Sequence, residues 1–133
     1  MKMSVPTRAL GAALIIIAGT ANVARAEIKD YEFQLVEPTA KTGPHTVISV
    51  RLVSKVTGKL VSDAVIFATR LDMAPDSMEE MTTTVTPMAG EEPGIYRFEA
   101  NVSMAGRWRL SLGAKVQGEV GAVESRLVIQ AQK

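Results

Sequence analysis

Four methionines crowd one stretch of the chain: Met73, Met78, Met81 and Met88 fall between Leu71 and Met88, in LDMAPDSMEEMTTTVTPM. Pro75 interrupts the stretch, and Asp72, Asp76, Glu79 and Glu80 edge it, which gives it the composition of a surface loop. A thioether is a soft, polarisable ligand that stays neutral and forms no disulfide, and such ligands select Cu(I) over hard cations. Met78 and Met81 are three residues apart, so a helical turn over Ser77 to Met81 would bring both sulfurs to one side. Met73, just before the Pro75 bend, would face them, with Met88 and Met104 closing the site from neighbouring loops. The carboxylates would raise the local cation concentration without being soft ligands themselves. The same residues also fit core packing. Met73 follows Leu71 on one strand face and Met104 follows Val102, and methionine fills core gaps readily.

Other reactive chemistry is sparse. His45 is the only histidine and there is no cysteine. That removes thiolate metal sites, disulfides and a lipid-modified cysteine, and it leaves any serine nucleophile one imidazole to recruit. His45 follows Pro44 at a strand start, where it reads either as a solvent-facing residue or as a further copper ligand. The pairs Glu79-Glu80 and Glu91-Glu92 read as solvated loop acids, not as a general acid and base. Gly113, Gly118 and Gly121 precede no helix and form no phosphate loop. An enzyme is not expected, and neither is a cofactor needed for folding.

These residues must be positioned by a small exported domain. Lys2 and Arg8, the apolar run ALGAALIIIAG over residues 9–19, and Ala24-Arg25-Ala26 have the form of a cleavable signal peptide over residues 1–26. The apolar run is short of the ~20 residues that span a bilayer, although an uncleaved anchor is the alternative. Of 15 basic and 14 acidic residues, Lys2, Arg8 and Arg25 leave with the leader, so residues 27–133 carry 12 against 14 and a formal charge of −2. No basic patch for nucleic acid remains. The expected location is the periplasm, free of a lipid anchor.

From Tyr31 onward, period-two alternation dominates the chain. It runs through Tyr31, Phe33 and Leu35, returns at Ile48, Val50 and Leu52, and again at Tyr96, Phe98, Ala100 and Val102. The most regular case is Trp108, Leu110, Leu112, Ala114 and Val116, with Leu127 and Ile129 closing the domain. AVIFATRL over residues 64–71 is apolar on both faces and reads as a central strand. Turns are expected at Thr57-Gly58, Glu92-Pro93-Gly94 and Gln117 to Gly121. About seven short strands without a convincing helix predict an all-β, antiparallel, immunoglobulin-like sandwich over residues 27–133, with Trp108 as its anchor.

The residues Asp72-Met73, Met78, Pro93-Gly94, Tyr96 and Met104-Ala105-Gly106-Arg107-Trp108 together resemble the FixH/YtkA-like family of exported immunoglobulin-like domains. The resemblance covers most of the chain after the leader. It implies a β-sandwich and an association with copper, through haem-copper oxidase assembly or heavy-metal efflux. The expected cargo is Cu(I), held by Met73, Met78, Met81, Met88, Met104 and His45, and the expected partner is a membrane transporter or oxidase component. The alternative is a metal-free interaction module for such a complex, and a third reading is a purely structural domain with all five methionines buried.

Overall fold

The computed structural model describes residues 27–89 and 92–133, so the expected leader lies outside the described residues. Alternating sequence becomes strand almost throughout. The strands are β1 (Tyr31–Leu35), β2 (Thr39–Lys41), β3 (Gly43–Ser54), β4 (Val65–Met73), β5 (Met78–Thr83), β6 (Val85–Met88), β7 (Ile95–Val102), β8 (Gly106–Lys115) and β9 (Val123–Gln132). They form a four-stranded sheet, β1-β3-β7-β6, and a five-stranded sheet, β2-β9-β8-β4-β5. All neighbours are antiparallel except β2, which runs parallel to β9. The expected sandwich is therefore present. Its strand number exceeds seven because three-residue β2 carries too little alternation to be noticed, and because Thr84 divides one β-branched run between the two sheets.

The core is the sum of the inward positions. Ile48, Val50 and Leu52 of β3 face the second sheet alongside Phe98, Ala100 and Val102 of β7, and Trp108, Leu110 and Leu112 of β8 answer from the other side. Each large side chain buried in this way contributes about 1.5–3 kcal/mol of transfer free energy. Trp108 is buried as expected, and its indole Nε1 donates to the Met104 carbonyl at 3.1 Å, so the buried N–H is satisfied.

One sequence expectation holds and one needs correction. β4 is a central strand as expected, lying between β8 and β5, with Val65 and Phe67 left exposed. The helical turn expected over Ser77 to Met81 is absent. A 3-10 turn forms earlier, at Ala74–Asp76, and Met78 already belongs to a strand. Pro75 sets φ for the tight turn, and Ser77 terminates it in the left-handed region at φ 63°. The chain then re-enters the sheet with Met78 opposite Met73.

The segment between β3 and β4 has little ladder of its own, only the single bridge between Val53 and Leu60. Tyr96 holds it instead. Its hydroxyl donates to the Val61 carbonyl at 2.8 Å and accepts from the Ala64 N–H at 3.2 Å, while its ring meets Phe33 edge-on with centroids 6.3 Å apart. Burial pushes the phenol pKa up, so it stays protonated and able to donate. Tyr96→Phe keeps the ring and strands both backbone groups. It should cost about 1–2 kcal/mol in urea denaturation, with hydrogen-exchange protection at Ala64 falling first.

Candidate metal centre

The turn between β4 and β5 is built on Asp72. Its position alternates outward from the core, yet its side chain is fully buried beneath its own hydrogen bonds. Oδ1 accepts the Ala74 N–H at 2.9 Å, and Oδ2 accepts Arg70 Nε at 2.7 Å and Arg109 Nη2 at 3.3 Å. Desolvation alone would push this carboxyl up. The Ala74 N–H and the two guanidinium groups outweigh it and hold the pKa below the usual carboxylate value.

Asp76 repeats the device on the other side of the turn. Its Oδ2 accepts the Arg107 N–H and its Oδ1 accepts Arg107 Nε, each at 2.8 Å, and Arg107 Nη2 also reaches the Pro75 carbonyl at 2.7 Å. The backbone N–H of Arg107, then its guanidinium, keeps the Asp76 pKa low. The 3-10 turn is thereby pinned to the start of β8. Gly106 makes the approach possible: a Cβ there would lie 2.6 Å from Met73 Cε and 2.7 Å from Asp76 Oδ2.

The methionines divide by environment. Met73 has 0% of its surface exposed and belongs to the core, because the register that sends Asp72 outward sends its neighbour inward. It is not an accessible ligand. Met78, its cross-strand partner, is half-buried and packs against the core. Met81 sits on edge strand β5, two residues before Thr83, and is 37% exposed. Met104, 39% exposed, occupies the turn where the chain passes from β7 in one sheet to β8 in the other. Met88 does not join them: its partner Arg97 alternates with inward Phe98, so Met88 lies on the outer face of the four-stranded sheet.

His45 is separate again. Its Nδ1 lies 3.2 Å from Glu99 Oε2, and it lines a cleft of about 720 Å³ together with Lys41, Val47 and Ile129. No methionine lines that cleft. Among the described residues no group of three His, Cys, Asp or Glu side chains could hold a metal. The six expected ligands therefore do not form one cluster. Met78 and Met81 lie on the strand that follows the pinned turn, Met104 lies two residues before Gly106, Met73 is buried in the core, and Met88 and His45 are elsewhere.

Of the residues that frame this end of the sandwich, Asp72, Asp76 and Arg107 were noted from sequence as loop acids or as part of the family pattern, whereas Arg70, Arg109 and the pairing of all five were not. A carboxylate inside the apolar run before Pro75, together with arginines two apart on the outward face of β8, was the available signal.

A family model described as YtkA-like matches residues 25–113. No curated protein matches the sequence. Among solved structures, the chain is similar to one titled "Crystal structure of the Lin-41 filamin domain", with 22% identity, a TM-score of 0.45, and coverage of 81% of this chain and 95% of that one.

Proposed function

The chain belongs to the YtkA-like family, and we propose that it is an exported, non-catalytic accessory domain that carries Cu(I) on thioethers at the pinned turn. Met78, Met81 and Met104 are the ligands in this reading. It drops Met73 for burial, and Met88 and His45 for distance from the turn along the sheets. The observation that carries it is that thioethers stand on both sides in sequence of a frame fixed by Asp72 and Asp76: Met78 opens β5 directly after the turn with partly exposed Met81 further along it, and partly exposed Met104 lies two residues before Gly106, which the turn meets. A soft monovalent ion suits neutral sulfur ligands, and ligands drawn from an edge strand and a turn give an open, exchangeable site in place of a closed cage. Such a site suits a carrier that hands its ion to a membrane partner, a heavy-metal efflux transporter or a haem-copper oxidase component, from the periplasm.

Titration of the purified protein with Cu(I) under anaerobic, reducing conditions, against a chromophoric chelator, tests the reading. One equivalent should bind. The Met78→Leu/Met81→Leu double variant, which preserves volume, should bind at least ten-fold more weakly, and Met88→Leu should match the parent. Absence of binding in the parent, or an unchanged double variant, rejects it. The exposure of Met81 and Met104 also favours a second reading, a metal-free apolar contact with the same class of partner. Partner affinity indifferent to copper chelators would select that one.

A further inference from the structure

The outer face of the five-stranded sheet is unusual in what it leaves in solvent. Val65, Phe67 and Val128 are 64%, 58% and 49% exposed on it. Phe67 occupies a bulge of β4 between Ile66, opposite Ala114, and Ala68, opposite Gly113. Its ring lies across Gly113: a Cβ at that glycine would sit 3.1 Å from Phe67 Cζ and 3.3 Å from Cε1. The missing side chain on β8 is thus the space the ring uses. Phe67 is held as a platform, not left dangling.

Cations flank it. Arg70, Ser111 and Arg126 are partners across β4, β8 and β9, one row from Gly113, so the two arginines bracket a serine. Arg70 is committed through Nε to Asp72 and through Nη2 to the Glu79 carbonyl, which leaves Nη1. Arg126 makes no ion pair among the described residues. Phe67, Arg70, Ser111, Gly113, Glu124 and Arg126 line a depression of about 210 Å³, about the room one large side chain needs. On this face Arg70, Arg107 and Arg109 are engaged by Asp72 and Asp76, whereas Arg126 and Lys115 make no ion pair among the described residues and are the cations left unpaired to meet a partner.

We propose that this face docks an acidic segment of a partner protein, with an apolar side chain resting on Phe67 and carboxylates meeting Arg126 and Arg70. Strands lie about 4.8 Å apart, which puts the two arginine Cα positions roughly 9.6 Å from one another. Acidic residues at i and i+2 of an extended segment, about 7 Å apart, come within reach of both long side chains. Arginine pairs bidentately with carboxylates, and an exposed aromatic ring supplies the desolvated centre that charge alone lacks. Nucleic acid fits less well, because it calls for a long track of cations without an interposed glutamate. The proposal does not depend on the methionines, and its failure would leave the Cu(I) reading standing.

The probe is the hexapeptide acetyl-Glu-Ser-Glu-Ser-Phe-Ser-amide, followed by amide chemical shifts of the purified protein. Shifts should concentrate at Phe67, Ser111, Gly113 and Arg126. Arg126→Glu should weaken binding at least ten-fold and Phe67→Ala at least five-fold; both positions are exposed. The same peptide with glutamine for glutamate should not bind, and Lys29→Glu, on a distant turn, should leave affinity unchanged. Shifts scattered over unrelated cations, or parental affinity in both Arg126→Glu and Phe67→Ala, would overturn the proposal. So would stronger shifts at the same residues from inorganic phosphate or from phosphatidylglycerol vesicles, which would make the face a general anion or membrane contact.

Discussion

Asp72→Ala should lower the unfolding free energy by about 3 kcal/mol, enough to move the melting temperature down by more than about 10 °C. The side chain is fully buried and serves three donors, so its loss strands the Ala74 N–H and removes the counter-charge of Arg70 and Arg109 at once. Removing one member of a buried pair costs about 3–5 kcal/mol, and the lower end applies because both guanidinium groups reach solvent. Arg109 Nε, buried and without a hydrogen-bond partner already, makes the loss harder to absorb. Asp72→Asn keeps an acceptor for Ala74 and should cost about half as much in the same thermal unfolding measurement.

The acid dependence of that difference has a fixed sign. The folded-state pKa of Asp72 is depressed, so the stability it contributes is complete above the ordinary carboxylate range and disappears as pH falls through the lower folded value. Parent and Asp72→Ala should therefore converge in stability as the solution becomes strongly acidic. Asp76 contributes with the same sign, so the parent should retain an acid-sensitive limb in the Asp72→Ala background. A gap that widened on acidification would contradict the assignment.

Gly106→Ala should cost about 2–4 kcal/mol. Two effects add: φ of +140°, which a residue with a Cβ adopts only under strain, and overlap of the new methyl with Met73 Cε and Asp76 Oδ2. Gly58→Ala is the matched control. Its φ is +75° and nothing lies within 4 Å of the added carbon, so it should cost only about 1 kcal/mol. The excess at Gly106 measures the pinning of the turn. Because Arg107 follows directly and holds Asp76, the Gly106 variant should also weaken Cu(I) binding, whereas the Gly58 variant should not.

What could be read from sequence was what repeats. Period-two alternation at Ile48–Leu52, Phe98–Val102 and Trp108–Val116 located the long strands and their inward faces, and burial of Trp108 comes from the same pattern. The family too was legible, from Asp72-Met73 and the Met104-to-Trp108 step. The geometry of the methionines was not. Their spacing suits a helical turn, but Pro75 drew the tight turn forward and Ser77 closed it, and strand alternation then decided which sulfurs face outward. The apolar residues on both faces of β4 marked it correctly as an interior strand of its sheet, but a sequence does not state that only one face meets another layer. A carboxylate such as Asp72, buried by local bonds in an outward position, leaves no periodic trace at all.

The neighbour order within the sheets also governs how quickly the domain assembles. Strands β4–β5, β6–β7 and β8–β9 are joined by short connections and can zip locally, but β3–β7 and β4–β8 bring together segments roughly forty to sixty residues apart in sequence. Those distant pairings seat Phe98 against Ile48 and Leu110 against Leu71, so the interior is completed only after the costly loops have closed. Refolding should accordingly take milliseconds to seconds, the range of sandwich topologies, and until those loops close the chain presents unpaired strand borders to its surroundings.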